Sequence, residues 1–421
     1  MKVAIFGLGY VGCTGAACIA SQGHTVIGID PSMDKVEAIR AGRSPISEPG
    51  IDELLAQAHT EGRLDAVKEV TNELDDCDIA VVCVGTPSGP DGAHNMTYIA
   101  QVTRAIAAAV DPKRKDPLTV AFRSTMRPGS TEQIIAPIFR SFLGDAAGTA
   151  VELVYNPEFL REATAIEDYF NPPKIVLGTM SGEPSTKMEA LHEGIEAPVF
   201  NVGIREAELT KFVDNAWHAV KVTFANEIGR VCQLQGISAK QVHEIFVADR
   251  KLNISPYYTR PGGAFGGSCL PKDVRALQHI ASDSGANTHL VDSLLRSNAA
   301  HKHHQFLGVT QDLEPGAKIL LVGLAFKADT DDLRESPAVD LARKLLDAGY
   351  DLKIYDPLLS PEKLVGQNLG YAYANLPAID ALLVDKAEAE SGDYAVAVAT
   401  NRLVDTLDLG GVRAIDLSTI P

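Results

Sequence analysis

The sequence predicts an α/β protein of two doubly wound units joined by a long central helix and a helical middle domain. Three patterns carry that expectation. Apolar runs alternate with amphipathic stretches from residue 2 onward, a proline-free helical stretch covers 204–236, and a second alternating series opens after LEPGAK at 313–318. Residues 2–8 (KVAIFGL) read as a strand, Val11 to Ser21 as an alanine-rich helix, and HTVIGID, ending at Asp30, as the next strand. The alternation continues through DIAVVCVGTP (78–87), a helix near Tyr98 to Val110, LTVAFRST (118–125) and VELVYNPEF (151–159). Strands separated by helices of that length imply a parallel sheet covered on both faces.

The middle of the chain reads as helix over 204–236, then Ala239 to Val247 and Pro271 to Ser284, with the glycine-rich RPGGAFGGSC between the last two. The second series runs KILLVGLAF, a helix near Pro337 to Ala348, DLKIYDP, YAVAVAT and VRAIDL. The expected domains are 1–203, 204–300 and 301–421. No short internal repeat is visible.

Composition fits a packed globular chain: 45% of residues are hydrophobic and 22% charged. The formal net charge of −17 opposes general binding to nucleic-acid phosphates, although helix N-termini can still hold small anionic ligands. Six cysteines, at 13, 18, 77, 83, 232 and 269, lack the spacings of a zinc site or a disulfide framework, so no metal is expected. MKVAIFGLGYVG reads as a first strand rather than a signal peptide, and no apolar run approaches the roughly 20 residues of a membrane span. A cytoplasmic location is expected.

Gly7, Gly9 and Gly12 form GLGYVG, with Tyr10 and Val11 inside it, between the first strand and first helix, and Asp30 closes the next strand. In a Rossmann-like unit, the first glycine permits the tight turn, the second lets backbone approach a pyrophosphate, and the third allows close helix packing. The acid accepts hydrogen bonds from ribose hydroxyls. A carboxylate at position 30 repels a 2′-phosphate, which favours NAD over NADP; Lys35 weakens that preference. Thr86 and Thr125 lie at strand carboxyl ends, where ligands bind in open sheets, or else serve as ordinary turn residues. The second series offers only Gly323 and Ala325 in VGLAFK, too little for a second NAD site.

Cys269 in GGSCLPKD precedes Pro271, a residue suited to the first turn of a helix. A thiol there feels the helix dipole and the charge of Lys272, the setting of a nucleophilic cysteine. The alternative is a buried structural thiol. Gly262, Gly263, Gly266 and Gly267 would let the backbone crowd a ligand. On the long helix, Lys211, Asn215, His218 and Asn226 share an arc of roughly 80°. Leu209, Phe212, Val213, Ala216, Val220, Phe224 and Ile228 cover much of the rest, so the polar stripe either meets partners or faces solvent. Glu158 and Glu162 in NPEFLREATA lie one turn apart if a helix runs through them, either as a base and water-positioning pair or as a solvated helix start.

GLGYVG, NPEFLRE, the Lys211 to Asn215 spacing followed by FANEIG, GGSCLPKD and GLAFKADTDDLRESP together resemble, in order and across nearly the whole chain, the UDP-glucose/GDP-mannose dehydrogenase family. The resemblance implies two successive NAD-dependent oxidations of a nucleotide-bound sugar alcohol, with the aldehyde never released. Cys269 would form a thiohemiacetal and then a thioester, Lys211 and Asn215 would stabilise the oxyanion, and Asp273 and Glu162 would position or activate water. It also implies that Lys327 meets the substrate, that Lys272 and Arg334 meet the cofactor, and that a homodimer forms through the central helices with Arg260 reaching the neighbouring site. NAWHAVKVTFANEIG and DRKLNISPYYTRPGGAFGG point to GDP-mannose, contacted by His218, Tyr257, Tyr258 and Arg260. The product would be GDP-mannuronate, for an anionic exopolysaccharide such as alginate. UDP-glucose, a UDP-N-acetylhexosamine, or a catalytically silent NAD-binding regulator are the alternatives. The segment from Pro357 to Asp393 is not clearly family-like.

Overall fold

The computed structural model describes residues 1–87, 94–161, 163–255, 262–267, 269–326, 330–364 and 366–418. The chain divides into two compact units, Met1–His218 and Ala219–Pro421.

The first unit is built on a sheet of eight strands: β1 (Lys2–Phe6), β2 (Thr25–Ile29), β3 (Leu64–Val67), β4 (Ile79–Val82), β5 (Leu118–Phe122), β6 (Val151–Tyr155), β7 (Ile175–Thr179) and β8 (Val199–Gly203). Their order is β3-β2-β1-β4-β5-β6-β7-β8. The period of two divides each central strand between two cores. Val3 and Ile5 of β1, with Ile79 and Val81 of β4, face the core that holds the first helix, Tyr10–Ser21. Ala4 and Phe6, with Ala80 and Val82, face the opposite core. Burial on both faces explains why these strands read as continuous apolar runs.

The sheet departs from the all-parallel expectation at one pair: β6 and β7 are antiparallel, with Val154 opposite Thr179 and Tyr155 opposite Gly178. An antiparallel neighbour needs no crossover to the far end of the sheet. Residues 156–174, including the short helix Ala165–Phe170, therefore connect the two strands at the carboxyl end of β6. The NPEF segment is kept at the edge where ligands bind in such sheets.

The long helix spans Ile204–Leu234. Its first turns bury Ile204, Ala207 and Glu208 against the first unit. Fully buried Glu208 accepts hydrogen bonds from the Gly129 and Thr131 amides and, at 2.7 Å, from the Thr131 hydroxyl, so one carboxylate ties the helix to the segment following β5. Further along, Leu209, Val213, Trp217 and Val220 are exposed.

In the second unit, helices Ala239–Ala248, Leu270–Ser284 and His289–Thr310 precede a parallel sheet of β9 (Lys318–Val322), β10 (Asp351–Tyr355), β11 (Val396–Ala399) and β12 (Ala414–Asp416), ordered β10-β9-β11-β12. Leu321 and Val398 face a core with helix Pro337–Asp347, and Leu320 and Ala397 face the other side. The segment after Pro357 contributes Leu376, Ile379 and Ala389 to these cores. Among the described residues, no helix is long and apolar enough to cross a membrane.

Glu208→Ala leaves three buried donors without their acceptor and is expected to lower stability by on the order of 3 kcal/mol. Urea denaturation checks this, and an unchanged midpoint contradicts it.

Candidate functional site

Sterics fix the first glycine turn. Gly7 has φ +92°, and a Cβ on it would approach the Cys83 carbonyl oxygen to 3.1 Å. At Gly12 a Cβ would stand 1.8 Å from the Gly7 carbonyl oxygen, so only glycine fits. Gly9, at the N-cap of the first helix, is different: a Cβ there meets nothing within 4 Å. The open space lies at a helix N-terminus, beside the reversal of strand order between β1 and β4, and suits a pyrophosphate.

Asp30, 5% exposed, secures the turn. One carboxylate oxygen accepts from the Leu8 amide at 2.7 Å and the other from the Ser32 amide at 2.9 Å. Lys35 pairs with the same carboxylate at 3.1 Å. Across the neighbouring strands, the Thr86 hydroxyl donates to the Thr125 carbonyl at 2.8 Å, which joins the ends of β4 and β5. Tyr10 opens the first helix and donates its hydroxyl to buried Glu48; Val11 follows, half-buried. The cradle fits a dinucleotide.

On the loop after β6, the Lys211 ammonium donates to the Glu158 carbonyl at 2.6 Å and to its carboxylate at 2.9 Å, with both side chains largely buried. Lys211 also lies 5.6 Å from the centre of the Phe159 ring. Residues 156–161 are not helical, so Glu158 does not begin the helical turn that would pair it with position 162. The local reason is that Glu158 bonds its own chain, its second oxygen accepting from the Leu160 amide at 2.7 Å. Glu162 lies outside the described residues. Asn215, His218 and Asn226 are exposed on the long helix.

Several residues of this region carry no motif signal. Buried Arg123 donates to the Asn156 side chain at 3.0 Å, and Asn156 in turn donates to the Val176 carbonyl. Asp168 accepts from the Arg161 amide and guanidinium, and the pairing with Arg161 holds its carboxyl below the usual range. Glu48 accepts from the Ala163 and Ala165 amides. Their signal is spatial rather than sequential.

In the second unit, Cys269 is exposed and occupies the N-cap of helix Leu270–Ser284, with Pro271 in its first turn. The Asp273 amide donates to the Cys269 carbonyl at 2.9 Å, and exposed Lys272 and Asp273 pair at 3.1 Å. At Gly266 the backbone crowds protein rather than a ligand: a Cβ would stand 2.3 Å from the Glu335 carbonyl oxygen and 2.6 Å from Pro337. Gly267, with φ +84°, is likewise closed by the Phe326 ring at 2.7 Å. Gly263 has more room, and with Lys302, Gln305, Phe326, Thr400 and Asn401 it lines an open cleft. Thr400 and Asn401 follow β11 and Phe326 follows β9, so the cleft sits where this sheet's strand order reverses. Arg334 pairs with Asp332 at 2.8 Å. Tyr257, Tyr258, Arg260 and Lys327 lie outside the described residues.

A glycine turn suited to a dinucleotide, a lysine–glutamate pair at the adjoining strand end and an exposed cysteine at a helix start are features of a nicotinamide-dependent oxidoreductase. Comparison with known proteins matches the UDP-glucose/GDP-mannose dehydrogenase family along the chain, with its NAD binding domain at residues 1–196, central domain at 205–300 and UDP binding domain at 320–408. The chain belongs to that family. It is 42% identical to the GDP-mannose 6-dehydrogenase of Pseudomonas putida over 91% of this chain and 87% of that protein. With the GDP-mannose 6-dehydrogenase of Pseudomonas aeruginosa it shares 40% identity over 99% and 96% of the two chains. A solved ternary complex of GDP-mannose dehydrogenase from Pseudomonas aeruginosa superposes with a TM-score of 0.92, at 40% identity and over 99% of this chain and 96% of that one. The UDP-glucose 6-dehydrogenase TuaD of Bacillus subtilis is 30% identical over 91% of this chain and 83% of that protein.

The cysteines separate by environment. Burial pushes the thiols of Cys13 and Cys77 up to about 11 and those of Cys18 and Cys83 up to about 12, so they stay protonated at neutral pH. Iodoacetamide on the native protein should therefore modify exposed Cys269 before those four. Peptide mapping after brief labelling checks the order, and prior modification of any of the four contradicts it.

Proposed function

We propose that this chain oxidises the C6 alcohol of GDP-mannose to the carboxylate of GDP-mannuronate, using two NAD per sugar nucleotide. The observation that carries the reading is the level of similarity: 40–42% identity to several GDP-mannose 6-dehydrogenases, against 30–34% to the UDP-glucose enzymes of Bacillus subtilis and Haloferax volcanii. NAD supplies the hydride acceptor in both oxidations.

The residues then divide the work. Gly7, Gly9, Tyr10, Val11 and Gly12 seat the dinucleotide and Asp30 holds its ribose, with Lys35, Thr86, Thr125, Lys272 and Arg334 completing its contacts. At the aldehyde stage the Cys269 sulfur adds to C6 and forms a C–S bond, while the carbonyl oxygen becomes an oxyanion. Lys211 and Asn215 donate to that oxygen; donors aimed at developing charge are worth about 3–4 kcal/mol each. The bond from Glu158 holds the Lys211 ammonium in place. Loss of the C6 hydride leaves a thioester, and water directed by Asp273 and Glu162 adds to it and expels the Cys269 thiolate. His218, Asn226, Tyr257, Tyr258, Gly263 and Lys327 bind the sugar nucleotide, whose base enters the cleft after β9 and β11.

The apolar face of the long helix, where Leu209, Val213, Trp217 and Val220 are exposed, supports a homodimer. Arg260 would then serve the neighbouring copy's site. The enzyme works in the cytoplasm, and GDP-mannuronate supplies an anionic exopolysaccharide of the alginate type.

Initial rates with GDP-mannose and UDP-glucose test the substrate, and faster turnover of UDP-glucose would overturn it. Cys269→Ser is expected to lower steady-state turnover by at least about a thousandfold. Normal turnover in that variant rules out the thioester.

A further inference from the structure

One buried carboxylate outside the assigned machinery joins the cofactor turn to the acid-bearing loop. Glu48, 6% exposed, accepts the Tyr10 hydroxyl and the Ala163 amide, the latter at 2.9 Å, on one oxygen and the Ala165 amide at 2.8 Å on the other. The Tyr10 hydroxyl also lies 3.4 Å from the Arg161 carbonyl oxygen. Tyr10 directly follows Gly9, where the backbone opens toward the dinucleotide.

The loop needs such a restraint. Ala163 has φ +68°, a left-handed conformation that a residue with a Cβ adopts only when its surroundings impose it. Both amides flanking Thr164 end on Glu48. Upstream, Lys211 grips Glu158 and Asp168 grips the Arg161 amide. Lys211, Asp168 and Glu48 thus hold the loop at three places, and through the Tyr10 hydroxyl the Glu48 contact leads to the glycine turn.

We propose that Glu48 is a positioning residue that couples dinucleotide seating, through Tyr10, to the placement of the Ala163 and Ala165 amides. The inference rests on the reading of that loop as the part of the site that directs water in the second half-reaction. A dinucleotide pressing on the first turn of the helix fixes the Tyr10 ring, the ring fixes Glu48, and Glu48 fixes the amides of a loop that does not hold its conformation unaided.

Hydrogen exchange of the full-length protein with NAD alone tests the coupling without any sugar nucleotide. In the wild type, NAD is expected to slow exchange in peptides spanning 158–168 as well as in the glycine turn. Tyr10→Phe, which removes only the hydroxyl that meets Glu48, should lose the added protection in 158–168 when measured at an NAD concentration that saturates the variant. Its kcat should fall about tenfold while its melting temperature, without NAD, stays near that of the wild type. Glu48→Gln should lose the same protection, and if it does not fold, Tyr10→Phe decides. Protection of 158–168 that persists in Tyr10→Phe, or never appears in the wild type, overturns the proposal. Failure of GDP-mannose to turn over would overturn the substrate assignment and leave the exchange result to be judged separately.

Discussion

A Cβ at position 12 would stand 1.8 Å from the Gly7 carbonyl oxygen, and much of the first unit depends on that clearance. It lets the first helix start almost on top of the end of β1. Gly12 to Ala20 are then all buried, most of them small residues. Asp30 locks the arrangement from β2 through the Leu8 amide. Because the helix begins at Tyr10, its N-terminus faces the ligand edge and the Tyr10 side chain reaches Glu48. Cofactor seat, sheet packing and loop restraint thus follow from the same few ångströms of backbone.

The second unit uses half of this device. Gly323 has φ +88°, and Asp356, at the end of β10, accepts from the Leu324 amide at 2.9 Å, as Asp30 does from Leu8. The next helix, however, starts only at Pro337, whereas in the first unit it starts at Tyr10, three residues after Gly7. Among the described residues, no helix N-terminus stands at that turn. The residues after Gly323 instead pack on protein: Phe326 against Gly267, and Ser336 bonded to the Leu324 carbonyl.

The sequence displays what depends on neighbours along the chain. The two α/β series, the glycine turn with Asp30, the long helix and the helix start at Cys269 are all encoded by local period, glycine spacing or proline placement. Other features depend on partners far away in sequence. Glu208 looks like any acid on a charged helix until Gly129 and Thr131 are brought to it. Glu48 sits in an SPISEPG loop with nothing nearby to explain its burial. The reversal of β7 was hidden because KIVLG is equally apolar in either direction. Glu158 left the expected helix because its carboxylate captured the Leu160 amide. Gly266 was read as room for a ligand, when the space is taken by the Glu335 carbonyl and Pro337. Except at Glu158, where a bond two residues along the chain decided, tertiary contacts chose between local options that the residues alone left open.

The central claim is that one thiol allows a nicotinamide enzyme to oxidise the same carbon twice. Counting NADH formed per GDP-mannose consumed, with the end product identified by mass spectrometry, tests it most directly. The account predicts two NADH and GDP-mannuronate, with no free aldehyde captured by a hydrazine trap. One NADH per sugar nucleotide, with trapped aldehyde, would contradict it.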